Sequence, residues 1–181
     1  PSYTIETNPE TLDFGSVIGV YTQPAAQTVV IENTGNSTVT VTLPTNANFT
    51  IAIAPTGSLT LAPGGTASVS IQPLGNLSAG VYDATLTFNT DHSTSDSVDV
   101  KFTVIAAVYT ITATPTAVDF GHLEVWYAPV AAETITVKNT GNKIITITQP
   151  TSVAYTLGSL SRTALNPNDA ATFTVKPSDT L

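Results

Sequence analysis

One stretch of this chain occurs twice, and no other feature constrains the fold as much. Asp13-Phe14-Gly15 leads through a spacer into Val29-Val30-Ile31-Glu32-Asn33-Thr34-Gly35-Asn36. Asp119-Phe120-Gly121 leads in the same way into Ile135-Thr136-Val137-Lys138-Asn139-Thr140-Gly141-Asn142. With Tyr3 laid on Tyr109, matches continue at Pro9/Pro115, Tyr21/Tyr127, Ala25/Ala131, Thr28/Thr134 and Phe49/Tyr155. After a two-residue deletion Leu61 meets Leu165, Pro63 meets Pro167 and Pro73 meets Pro177. Similarity at a long fixed period means duplicated structural units. The 181 residues therefore divide into two domains, 1–106 and 107–181.

The residues within each copy favour strands. Thr, Val and Ile are plentiful, and runs rich in Leu, Ala, Glu and Lys are missing. Comparing the copies sets the phase of the strand at 27–33. Val29/Ile135 and Ile31/Val137 stay apolar while Val30 is matched by Thr136, so positions 29 and 31 face inward. Val39 and Val41, then Ala67, Val69 and Ile71, alternate in the same way. So do Tyr82, Ala84, Leu86 and Phe88, and finally Val98, Val100, Phe102 and Val104. Asn33-Thr34-Gly35-Asn36 reads as a hairpin turn with Gly and Asn at positive φ, and 89–97 reads as a loop. Short alternating strands with frequent turn signals, and no helical period, predict an all-β antiparallel sandwich. The junction Ile105-Ala106-Ala107-Val108 carries neither Gly nor Pro and is expected to be stiff, which would set two sandwiches end to end.

The second copy stops matching early. Leu181 aligns with Leu77, so nothing in it corresponds to Ser78–Val104, the last two strands of the first copy. Each large apolar side chain buried is worth roughly 1.5 to 3 kcal/mol, so the missing inward set amounts to more than about 10 kcal/mol. That equals the whole stability of many domains, about 5 to 15 kcal/mol. Strand complementation or a swapped element is therefore expected to cover the open half of copy two, because a half-sandwich exposes sheet edges.

At these residues a family resemblance emerges. Phe-Gly, a spacer, a Thr/Val/Ile strand, Asn-Thr-Gly-Asn and then Leu-x-Pro-Gly before another strand resemble the ASH/Hydin-type immunoglobulin-like domains. Related domains recur in bacterial surface proteins labelled choice-of-anchor. The resemblance covers 3–104 and most of 109–181. It implies an immunoglobulin-like sandwich without a disulfide, used in tandem as spacer or interaction module, with no catalytic residues and no cofactor. The Thr- and Ala-rich, Lys-poor composition resembles that of a secreted bacterial protein, so an extracellular, cell-surface location is expected.

Charge narrows the partners. The net charge is −8, nearly all of it in the first copy, where eight acids stand against Lys101 alone. Five basic residues in the whole chain neutralise few phosphates, so neither nucleic acid nor an anionic membrane surface is an expected partner. No apolar run is long enough for a membrane span and no signal peptide is visible. A start at Pro1 suggests an excised or processed piece. The absence of Cys removes disulfides and thiolate chemistry and leaves the compartment open.

Little points to catalysis. His92 and His122 occupy unmatched positions in different copies and read as solvated loop residues, with no nucleophile motif nearby. The run Asp91–Asp99 gathers Asp91, Asp96 and Asp99, whose oxygens could hold Ca²⁺. Without EF-hand spacing, an acidic hairpin tip is the favoured reading. Trp126 is specific to the second copy. With Tyr127 and Tyr21 it forms the first choice for a glycan- or host-protein-binding surface, weighed against plain packing, which is favoured. Lys101 lies between inward Val100 and Phe102 and should point outward, away from any isopeptide crosslink. Two functions follow: a structural spacer, or an adhesion module.

Overall fold

The computed structural model describes residues 1–53, 59–122, 124 and 128–178, and it forms strands without any helix among them. The chain divides into two compact units, 1–106 and 107–181.

Unit one contains β1 (Ile5–Asn8), β2 (Thr11–Ile18), β3 (Gln27–Asn33), β4 (Val39–Thr42), β5 (Phe49–Ile53), β6 (Thr60–Leu61), β7 (Thr66–Pro73), β8 (Gly80–Val81), β9 (Ala84–Thr90) and β10 (Ser95–Ile105). One sheet has the order β1-β3-β7-β5. The other runs β2-β10-β9-β4-β6, with β8 added against β10. Between them lies the core. Val29, Ile31, Val39, Val69, Ile71, Phe88 and Val98 are each fully buried, on the inward phase that the alternation predicts. Lys101, between buried Val100 and Phe102, is exposed. The result is an immunoglobulin-like β-sandwich, antiparallel but for one pairing: β10 runs parallel to β2. That ladder shifts register between Lys101 and Thr103, opposite Phe14-Gly15. Gly15 sits there at φ 72°, and its N–H donates to Asp13 Oδ1 at 2.7 Å. A left-handed glycine at a bulge explains why Asp-Phe-Gly is written into the sequence.

Two turns differ from the sequence expectation. The stretch 89–97 is mostly strand, with β9 and β10 joined by a tight turn at 91–94. The Asn-Thr-Gly-Asn segment closes no hairpin: β3 and β4 lie in different sheets, so it is a crossing between the two layers. Gly35 has no positive φ. Its role is close approach, because a Cβ there would collide with the backbone of Ser2 and Thr4. Asn33 is completely buried, and every polar atom of its side chain is used. Its Nδ2 donates to the carbonyls of Ser37 (2.9 Å) and Leu61 (2.8 Å), while Oδ1 accepts from Gly35 N–H (3.0 Å). Asn36 Oδ1 takes the N–H of Ser2, and Thr34 Oγ1 donates to Thr4 Oγ1.

Unit two repeats these devices. It contains β11 (Ile111–Thr114), β12 (Glu133–Asn139), β13 (Ile145–Thr146), β14 (Tyr155–Leu157), β15 (Ala164–Leu165) and β16 (Ala170–Pro177). The order β11-β12-β16-β14 reproduces β1-β3-β7-β5 strand for strand. Asn139 is again fully buried and binds the carbonyls of Lys143 and Leu165 and the N–H of Gly141. Gly141 again admits no Cβ, against Val108 and Thr110. Asn168 takes φ 71° where Gly64 takes 70°, asparagine being the side chain that tolerates this region best. The second sheet, however, is reduced to the pair β13-β15. Among the described residues nothing corresponds to β8, β9 or β10, which is the missing closing portion that the alignment predicts. The segment 117–122, which matches β2, forms no ladder.

The asparagine arrangement predicts a steep penalty for truncation. Asn33→Ala takes the side-chain donor from the buried Leu61 carbonyl and the part-buried Ser37 carbonyl, while Gly35 N–H keeps Thr4 C=O at 3.2 Å, and should cost about 1 to 3 kcal/mol. Urea unfolding of the full chain, followed by the amide signals of 29–31, measures it. A loss below about 0.5 kcal/mol would mean that water takes over those bonds.

Candidate functional site

The sequence-derived site residues disperse. Tyr21 is part-buried in unit one. Its hydroxyl donates to Leu74 C=O (2.7 Å) and accepts from Leu77 N–H (3.1 Å), and its ring meets Phe102 edge-on at 5.6 Å. It thus pins the loop that carries the chain from β7 towards β8. Trp126 and Tyr127 lie outside the described residues.

Asp91, Asp96 and Asp99 each face a different partner. Asp96 Oδ2 accepts from the N–H and Oγ1 of Thr7, at 2.6 and 2.7 Å, tying β10 to β1. Asp99 Oδ1 accepts from Thr85 Oγ1 across the β9–β10 ladder. Asp91 Oδ1 accepts from Thr40 N–H (3.0 Å) and sits 2.8 Å from His92 Nδ1. The His92 ring stacks on Tyr3, with ring centroids 3.7 Å apart. Among the described residues no three His, Cys, Asp or Glu side chains come together as a metal site. His122 is exposed.

The site that the structure itself singles out is the uncovered interior of unit two. Positions sealed in unit one are open here. Phe49 is 4% exposed and its match Tyr155 45%; Ile5 is 8% exposed and its match Ile111 55%. Ile135, Val137, Ile145, Ile147, Phe173 and Val175 are half-buried, although Val29, Ile31, Val39, Val41, Val69 and Ile71 are fully or almost fully buried. Among the described residues of unit two the buried apolar side chains are Leu165, Ala171 and Pro177. Phe120 and Tyr155 keep the tilted ring contact of Phe14 and Phe49, at 6.2 and 6.1 Å. Beside that pair lies a cleft of about 260 Å³, whose lining includes Val118, Asp119, Phe120, Ala154, Tyr155 and Pro177. A second depression, of about 390 Å³, lies in unit one and is lined by Asp83, Thr85, Asp99 and Lys101 together with Ala84 and Val100. Sequence reasoning found the open half but not this cleft. The Phe49/Tyr155 match was its only trace.

With this geometry in view, comparison with known proteins adds the following. No protein-family model matches the chain, and no curated protein does. Several solved structures are similar to it. A protein of unknown function from Porphyromonas gingivalis has a TM-score of 0.45 at 16% identity, over 96% of this chain and 83% of that one. The ASH / PapD-like domain of human CEP192 (PapD-like domain 7) has a TM-score of 0.44 at 17% identity, over 59% of this chain and 89% of that domain. The Pseudomonas aeruginosa CupB2 chaperone has a TM-score of 0.31 at 10% identity, over 93% and 87%.

Two measurements follow from unit one. The Thr40 N–H bond, and then His92, hold the Asp91 carboxyl below the usual aspartate range. Its ionised form is favoured by the fold, so this contribution is present above the ordinary aspartate value and is lost as pH falls through the lowered one. The Thr40 amide resonance should titrate with a midpoint below that of a free aspartate, and Asp91→Asn should abolish the titration. Tyr21→Phe should cost about 1 kcal/mol and speed hydrogen exchange at Leu77, whose N–H loses its acceptor.

Proposed function

We propose that this chain is a non-catalytic structural spacer within a secreted or cell-surface protein. The observation that carries the reading is the surface of unit one. Outward positions on its strands are Thr28 and Glu32, Thr40 and Thr42, Thr85, Thr87 and Asn89, and Asp99 and Lys101. Among its described residues the exposed large apolar side chains are four: Val30 stands alone on β3, and Val20, Val81 and Ile105 lie near one another at one end of the β2–β10–β8 ladder. A few apolar side chains among polar ones are the ordinary state of a protein surface, whereas a recognition patch is larger. The polar side chains near the acidic turn are spent on the chain's own backbone and hydroxyls. That arrangement suits a module that holds others apart. The tandem duplication and the resemblance to bacterial surface modules support the same reading, with the extracellular location it entails.

The second reading is an adhesion module that recognises a glycan or host protein through aromatic side chains. Trp126, with no aromatic match in the first copy, is what favours it. A glycan array and a host-protein panel probed with the full chain separate the two. The spacer reading expects no saturable binding, and Trp126→Ala should behave as the parent. Saturable binding that disappears in Trp126→Ala would overturn it in favour of adhesion.

A further inference from the structure

We propose that the open half of unit two is a receptor for a two-stranded β-hairpin, supplied by polypeptide other than residues 1–181, with the alternating apolar pattern of Ala84–Ile105. This inference is independent of the spacer reading.

Unit one shows what such a face requires. There β9 pairs with β4, β10 pairs with β2, and β9 and β10 pair with each other. The gap between β2 and β4 is therefore two strands wide. In unit two its two walls are both present: Val118-Asp119-Phe120 for Leu12-Asp13-Phe14, and Ile145–Ile147 for Val39–Val41. Gly121 even keeps the left-handed backbone of Gly15, at φ 67°, with its N–H on Asp119 Oδ1 at 2.8 Å. A bulge shaped to receive a parallel neighbour is thus preformed, while 117–122 forms no ladder among the described residues.

The chemistry of the occupant follows. Unpaired strand backbone calls for another strand, not for a small apolar ligand. The half-buried side chains around the gap call for large apolar residues at every second position, as Leu86, Phe88, Val98, Val100 and Phe102 provide in unit one. One strand should run parallel to 117–122 and its partner antiparallel to β13. A second copy of this chain suits the gap poorly: its own unit-one hairpin is already buried, and its unit two lacks the same strands. One departure sets a limit. Ala113 replaces Thr7, whose hydroxyl binds Asp96, so the occupant needs no carboxylate at that place.

The test appends a copy of residues 78–106 after Leu181 in the full chain and follows hydrogen exchange at 117–122 and at Thr148, which matches Thr42 on the edge that β9 covers; Ile147 N–H already donates to Thr163 C=O. Protection there should rise about tenfold or more, with the amides of 29–31 in unit one unchanged. Leu86→Ser, Phe88→Ser, Val100→Ser and Phe102→Ser, made only in the appended copy, should remove the gain. Should the fused chain aggregate, the 78–106 peptide added in trans to the full chain gives the same readout. Unchanged exchange with the apolar hairpin, or equal protection by the serine version, overturns the proposal. Concentration-dependent protection in the chain alone would assign the gap to a second copy, and also overturns it.

Discussion

The buried carboxamide of Asn33, repeated at Asn139, is the interaction on which each unit depends. It sits where the chain leaves one sheet for the other, a place where neither ladder can satisfy the backbone. Two donors and one acceptor in a short planar group meet two carbonyls and one N–H. Aspartate would bring negative charge against those carbonyls and donate nothing. Leucine would take the side-chain donor from both carbonyls, each loss costing about 1 to 3 kcal/mol where the group is buried, although Gly35 N–H would keep its bond to Thr4 C=O. The neighbouring residues serve the same crossing. Gly35 and Gly141 let the opening strand's backbone come close, and Asn36 and Asn142 take an N–H from it. The duplicated tetrapeptide is thus a bolt through two layers, with a separate task for each residue.

The two copies also show how far a strand belongs to its partner. Thr11–Ile18 and the matching stretch from Ala117 carry the same Asp-Phe-Gly, the same left-handed glycine and the same Asp-to-Gly hydrogen bond. Only the first is a strand, because only there does β10 lie alongside. Local sequence sets the bulge in both copies, but the ladder forms where a neighbour supplies the other half of its hydrogen bonds. The same reasoning explains the half-buried Ile135, Val137 and Phe173. Their inward phase is local, whereas their burial depends on the opposite sheet.

This division marks what was legible in the sequence. Side-chain phase was legible, because a period of two needs no knowledge of the partner: Val29, Val69, Phe88 and Val98 are buried as the alternation requires. So was the missing portion of the second unit, because the duplication supplies its own template. The Asn-Thr-Gly-Asn crossing was not, since its composition is that of a hairpin turn and only the pairing of β4 with β9 distinguishes the two. The parallel β2–β10 pairing was hidden for the same reason, as its partners are far apart in the chain. Tyr21 was read as a candidate for surface binding. Its bonds to Leu74 and Leu77 depend on a loop whose course no local pattern reveals.

The acid-rich, base-poor composition has a structural counterpart. Asp13, Asp91, Asp96 and Asp99 accept hydrogen bonds from backbone N–H groups or threonine hydroxyls at turns and cross-strand contacts. Contacts between charged side chains among the described residues are few: the exposed Arg162–Asp169 contact, with Asp91 otherwise in a hydrogen bond to His92. Long charged pairs at a surface contribute about 0 to 1 kcal/mol and are screened by salt. Short acceptors held by adjacent backbone donors are screened far less. A chain with one charge in ten residues can therefore fix its turns with carboxylates while its strand faces carry Thr and Ser. Its turns are then held by contacts that ionic strength touches less than it would a set of exposed ion pairs.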